Sequence, residues 1–163
     1  MEIRPASAGD LERLVAVFGS ERRFFADCLA RQSADGGVLL VAWLDEWPAG
    51  DVFLRRGPAD EPEIRGHLPG VPTLVHLEVL GRLQRRGIGT ALVHAGEDTA
   101  RRLGHDRIAI GVALDNPGAR RLYERLGYRD WGHGHVVASW RERRPGSAPV
   151  TVAETIDLLV KRL

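Results

Sequence analysis

Leu77-Glu78-Val79-Leu80 runs through Gly81-Arg82-Leu83 into Gln84-Arg85-Arg86-Gly87-Ile88-Gly89-Thr90-Ala91-Leu92, and the reading of this stretch decides the fold. An apolar strand enters a turn with two glycines and two arginines and leaves it as an amphipathic helix. That helix is predicted from Gly87 to Leu103: Ile88, Ala91, Leu92, Ala95 and Leu103 share a face, and Gly104 stops it. A helix N-terminus presents unpaired N–H groups and a partial positive charge, so a phosphate fits there without a dedicated side chain. Gly87 and Gly89 carry no Cβ, which lets a ligand approach the backbone, and Arg85 and Arg86 add charge at the same spot. Together they describe a pyrophosphate cradle; the plainer alternative is a tight strand-to-helix turn with exposed arginines. A Walker P-loop is excluded, because it needs Gly-Lys-Ser/Thr and the only lysine is Lys161. The Rossmann fingerprint does not fit either, since it needs three glycines at the first strand-helix turn and a later acidic residue.

Upstream, Ile3–Ala6 reads as a short strand. Leu11, Leu14, Val15 and Phe18 follow at helical spacing, and a second helix is expected from about Ser20 to Gln32. Val38–Asp45 and Ala49–Arg55 read as an antiparallel hairpin turning at Glu46-Trp47-Pro48. Residues 57–72 carry four prolines and mixed charge and read as a long surface loop. Thr73–Leu80 is a strand. Downstream, Arg107–Leu114 is a strand, and Pro117–Leu126 is a helix opened by Asp115-Asn116-Pro117 and closed by Gly127. Tyr128–Trp140 reads as a strand with a glycine-rich bend, Arg141–Pro149 as a polar turn, and Val150–Leu163 as the last strand. The strand-helix-strand unit over 73–114 should be parallel and right-handed, and the remaining connections are hairpins. The expectation is an α/β (α+β) fold with a mixed, mostly antiparallel sheet of about seven strands and four flanking helices.

The chain has 163 residues, enough for one domain over 1–163 that buries a core without staples. With 23 basic and 22 acidic residues the net charge is +1, which argues against nucleic-acid binding by bulk electrostatics. Cys28 is the only cysteine, so neither an internal disulfide nor a Cys-based zinc site is available. Met1–Pro5 lacks a signal-peptide stretch, and the longest apolar run, Val38–Leu44, is far short of a membrane span. A cytoplasmic protein with no membrane partner is expected.

The glycine turn resembles the acetyl-CoA signature, Gln/Arg-x-x-Gly-x-Gly/Ala, of the GCN5-related N-acetyltransferases. Asp115-Asn116-Pro117-Gly118-Ala119-Arg120-Arg121-Leu122-Tyr123-Glu124-Arg125-Leu126-Gly127-Tyr128 resembles that family's second conserved segment, about 30 residues on, and the element order matches along nearly the whole chain. The resemblance implies that Gln84, Arg85, Arg86, Gly87, Ile88, Gly89 and Thr90 hold the pyrophosphate of acetyl-CoA as cosubstrate, with no metal. It also implies a strand that splays from its neighbour near Val79. Pantetheine would bond to backbone groups at Leu77 and Val79 in that gap, with the Val79 N–H polarising the thioester carbonyl. Asn116 and Ala119 would lie along the same cofactor, although capping alone also explains an asparagine before Pro117.

Tyr123 would protonate or hydrogen-bond the leaving thiolate; otherwise it is a helix aromatic packing beside Leu122 and Leu126. An amine acceptor must shed a proton before attack. Glu78 and His76, two apart on one strand, are the candidate bases, directly or through water. His133 and His135 would share a strand face, but without an HExxH motif they read as structural or substrate-lining rather than metal-binding. Arg141, Arg143 and Arg144 read as solvated turn residues. The expected activity is acetyl transfer to a primary amine of a small molecule or peptide by direct attack in a ternary complex. The alternative is a non-catalytic acyl-CoA-binding or sensor module on the same fold; a regulatory nucleic-acid binder is more remote. A homodimer stays open. Asp60, Glu61 and Glu63 in the 57–72 loop suggest a cationic acceptor.

Overall fold

The computed structural model describes residues 1–19, 22–142, 146 and 148–163. Gly37–Leu44, eight residues without a charge, form β2; the chain turns at Asp45, where φ is +55°, and returns antiparallel as β3 (Trp47–Arg55). Both strands are covered on both faces, so they read as continuous apolar runs rather than alternating ones. The strand period of two sends Leu39, Val41 and Trp43 to one face, and Leu40 and Ala42 to the other. The first face is roofed by α1 (Leu11–Phe18) and α2 (Arg22–Ser33) through Leu14, Phe25 and Cys28. The second is roofed by α4 (Ile88–Arg102) through Leu92, Val93 and Ala100, and by α5 (Pro117–Arg125) through Tyr123. Gly96 lets α4 lie close on the sheet: a Cβ there would stand 2.6 Å from Leu74 Cδ2.

β1 (Glu2–Pro5), β4 (Thr73–Val79), β5 (Arg107–Ala113), β6 (Arg129–Asp130), β7 (Val136–Glu142) and β8 (Val150–Arg162) complete one eight-stranded sheet. Its order is β1-β2-β3-β4-β5-β8-β6, with β7 also on β8, and every pairing is antiparallel except β4 with β5.

Two expectations about the elements change. Residues 57–72 are not wholly loop. Pro62–His67 forms α3, with proline at its start, because Ile64 and Leu68 bury against Ala109, Val136 and Leu158. There are therefore five α-helices among the described residues, not four. The strand expected over 128–140 breaks into β6 and β7, since Gly132 and Gly134 take φ of +80° and +79°, outside strand geometry; the described residues form eight strands rather than seven. His133 and His135 fall in that bend and do not share a strand face: His133 stacks on His67 at 3.7 Å, and His135 Nδ1 lies 2.7 Å from Asp157 Oδ1. Arg141, expected in a turn, instead continues β7 and pairs with Thr151 of β8; the expectation for Arg143 and Arg144, and for the side chain of Arg141, lies outside the described residues.

Candidate active site

β4 and β5 pair at only two positions, Thr73 with Ala109 and Leu74 with Ile110. Beyond them β4 stays bonded to β3 as far as Val79, and β5 stays bonded to β8 as far as Ala113. The facing edges of β4 and β5 are therefore not zipped together, which is the splay that the resemblance implied. Leu80 N–H donates to the Ala49 carbonyl of β3 at 3.0 Å, so strand alternation turns the backbone groups of Val79 toward the gap. Gln84 reaches that edge: its Nε2 donates to the Val79 carbonyl at 3.1 Å.

The turn that follows needs left-handed backbone twice, at Arg85 (φ +60°) and at Gly87 (φ +81°). Gly87 is the N-cap of α4 and offers no side chain to satisfy the first N–H groups of the helix. Gln84, Arg85, Arg86 and Gly87 are exposed, Gly89 and Thr90 half-buried, and buried Ile88 anchors the turn in the core. A Cβ on Gly89 would lie 3.7 Å from Val79 Cγ2 and 4.0 Å from Leu77 Cδ2, so the first turn of α4 rests on the open strand. Uncapped donors and a bare helix surface follow directly on two exposed cationic residues, Arg85 and Arg86, a donor set that suits a pyrophosphate.

α5 brings the second segment to the same apolar cluster. Tyr123 is 5% exposed and belongs with Leu77, Val79, Ala119, Ile110 and Val112. Burial pushes its hydroxyl up to about 12, so the phenol stays protonated across the physiological range. Asn116 caps α5, its Oδ1 accepting from Ala119 N–H at 3.0 Å, with Pro117 at the first helical position. Arg120 ties α5 to the sheet by pairing with Asp157 of β8, and Glu124 reinforces it at 2.9 Å.

His76 and Glu78 come together by a route the sequence did not show. Between the pairs Asp51–Glu78 and Phe53–Val75, β3 advances two residues and β4 three, so β4 carries a bulge. His76 lies in it with φ +55°. Its Nε2 is 3.7 Å from Glu78 Oε2, and its ring lies against Phe24 of α2, tilted by 33°, at 3.9 Å between centroids. On its other side Nδ1 lies 3.1 Å from Oδ2 of Asp51, a carboxylate on β3 that is fully excluded from solvent. The sequence reading missed Asp51 and Phe24. A signal for Asp51 was present: it is the lone charge inside the apolar run Ala49–Leu54. Of the loop carboxylates, Asp60 and Glu61 lean on Arg55 at 3.5 and 3.7 Å, so Arg55 already answers two of the three charges expected to meet a cationic acceptor.

A family profile described as the Acetyltransferase (GNAT) family matches residues 12–128, and the chain belongs to that family. It is an acetyltransferase by class, and the family uses acetyl-CoA. Among solved structures, the ribosomal-protein-alanine N-acetyltransferase of Brucella melitensis is similar at 19% identity over 100% of both chains, with a TM-score of 0.71. The ribosomal-protein-S18-alanine N-acetyltransferase of Escherichia coli is similar at 17% identity over 99% of this chain and 92% of that one, with a TM-score of 0.67. A third, yncA of Salmonella typhimurium, was solved with its cofactor acetyl-CoA; it is 16% identical over 99% and 93% of the chains, with a TM-score of 0.69. At these identities the likeness is one of fold. No curated protein matches the chain. No helix among the described residues is long and apolar enough to cross a membrane.

Proposed function

We propose that this chain moves the acetyl group of acetyl-CoA to a primary amine of a small molecule or peptide, by direct attack in a ternary complex. The observation that carries this reading is the early end of β4–β5 pairing, at Leu74 and Ile110, beside the uncapped N-terminus of α4. A slot with strand edges on both sides suits an extended pantetheine arm, and the cradle at 84–90 suits the pyrophosphate at its end. Asn116 and Ala119, at the start of α5, would flank the arm.

In this reading Val79 N–H, turned toward the gap, polarises the thioester carbonyl. The acceptor ammonium gives one proton to Glu78 or His76, directly or through water, and the freed amine attacks the carbonyl carbon. As the tetrahedral adduct collapses, the C–S bond breaks and the nitrogen loses its second proton. Tyr123 donates its hydroxyl hydrogen bond to the departing thiolate, which leaves as the thiol. A phenol that burial pushes up to about 12 holds its proton more tightly than a thiol near 8.5, so handing it over alone is uphill. Tyr123 therefore passes its proton only in concert with receiving one from the collapsing adduct. The balance is acetyl-CoA plus ammonium to amide, thiol and one released proton.

The test is thiol release from acetyl-CoA with a panel of amines: spermidine, phenethylamine, kanamycin and a peptide beginning with alanine, the last because two similar structures are alanine N-acetyltransferases. Amine-dependent release with the matching N-acetyl product is expected. Tight acetyl-CoA binding with no release for any amine would point instead to a non-catalytic acyl-CoA-binding module.

A further inference from the structure

Asp51 is a charged residue in the middle of an apolar strand, with no exposed surface and no part in the chemistry above. A buried carboxylate is stable only where it is hydrogen-bonded or paired. It faces His76 Nδ1 at 3.1 Å. Across the ring, Nε2 faces Glu78 at 3.7 Å. Phe24 covers the ring face at 3.9 Å, and Phe25 meets it edge-on at 6.5 Å, so the imidazole is held in orientation as well as in place.

The donor atoms of Asp51, His76 and Glu78 lie within 4.8 Å of one another, a set that also suits a divalent cation. The arrangement favours a hydrogen-bonded relay, because the two carboxylates address different ring nitrogens and a metal would need both on one. On the α2 side Cys28 feels the Asp51 charge; its thiol is pushed up to about 12 by burial first and then by that charge, so it stays neutral.

Resting on the reading that the His76–Glu78 pair accepts the proton of the amine, we propose that Asp51 is a positioning residue. It holds His76 as the Nδ1–H tautomer, so that Nε2, on the Glu78 side, carries the lone pair that takes the acceptor's proton. The imidazolium then formed keeps its Nδ1–H on the Asp51 carboxylate and releases the new proton from Nε2 to Glu78 or water. The oriented base of a catalytic triad works on this principle, and an Asp-to-Asn change there presents the wrong tautomer while sparing geometry.

The experiment reads the tautomer first, by long-range proton–nitrogen correlation on the 15N-labelled full chain, with H76Q assigning the ring signals. Neutral wild-type His76 is expected to be protonated at Nδ1, and D51N to move the proton to Nε2. A wild-type ring protonated at Nε2 overturns the proposal, and that measurement does not depend on D51N folding. With an amine that supports thiol release, D51N is expected to lower kcat by about 10²-fold while KM for acetyl-CoA stays within about twofold. D51N in the H76Q background should cost nothing further, because Asp51 acts through the ring. An equal loss in both backgrounds marks Asp51 as structural and sinks the proposal. A full loss in H76Q with none in D51N leaves the His76 reading standing and removes Asp51 from it; unchanged kcat in H76Q removes both. Calorimetry with Zn²⁺ or Ni²⁺ alone is expected to show no binding, and stoichiometric binding lost in D51N would replace the relay with a metal site.

Discussion

Replacing Tyr123 by phenylalanine removes one oxygen and keeps a ring that is 95% buried, so the effects on folding and on chemistry separate cleanly. The ring's tilted contact with Tyr128, 6.1 Å between centroids, survives the change, as does its place among Leu77, Val79 and Ile110. Loss of a single buried hydroxyl should shift stability by no more than about 1 kcal/mol. In the transition state the same hydroxyl faces a developing thiolate. A hydrogen bond to a charged group is worth roughly 2–3 kcal/mol, which converts to roughly 30- to 160-fold in kcat. The assay is single-turnover thiol release with acetyl-CoA and amine saturating, so that product release does not mask the step. Acetyl-CoA affinity should stay within about threefold, since the hydroxyl gains its value only as charge develops. Because burial holds the phenol protonated up to about 12, the wild-type rate should show no alkaline loss from this group below that pH. An unchanged single-turnover rate in a folded Y123F variant would reduce Tyr123 to a core aromatic and remove the acid from the mechanism.

Gly89→Glu should abolish measurable acetyl-CoA binding by calorimetry while the far-UV spectrum is retained, because the new Cβ meets only ordinary contacts with Val79 and Leu77 and the carboxylate is thrown against the pyrophosphate. Unchanged affinity in the folded variant would misplace the cradle. Lys161→Ala removes the ammonium that donates to both oxygens of the buried Glu97 carboxylate at 2.8 Å and leaves it the more distant Arg101 at 3.9 Å; the expected loss is about 2 kcal/mol, or roughly 4–8 °C in Tm by calorimetry. Asp10 is held well below the usual carboxylate range, first by its hydrogen bond from Arg4 and then by Ser7. A folded-state value below the unfolded one means its stabilisation is complete above about pH 4 and drains away as pH falls through the folded value. Asp10→Asn should therefore cost on the order of 1 kcal/mol at pH 7 and flatten the acid limb of urea-melt stability against pH; an unaltered acid limb would assign that limb to other carboxylates.

The sequence by itself determined the site's local parts. The glycine turn at 84–90 and the capped start of α5 at Asn116-Pro117 are written in residues that demand particular backbone geometry over a few positions, and such demands are legible without a fold. The charge-free run of β2 and the single parallel unit over 73–114 were legible for the same reason, since period and connection length are local quantities. Local signals failed where a distant surface set the outcome. The 57–72 segment looked like loop because prolines and charges dominate it, yet burial of Ile64 and Leu68 under residues from β5, β7 and β8 winds part of it into α3. His133 and His135 looked like strand neighbours until two left-handed glycines bent the chain between β6 and β7. Only the tertiary structure decided the surroundings of His76. The bulge in β4 exists through its register with β3, and Asp51 and Phe24 reach the imidazole from 25 and 52 residues away in the chain. A carboxylate in an apolar strand shows that something must meet it, and the residue that meets it is fixed only when the strands pair.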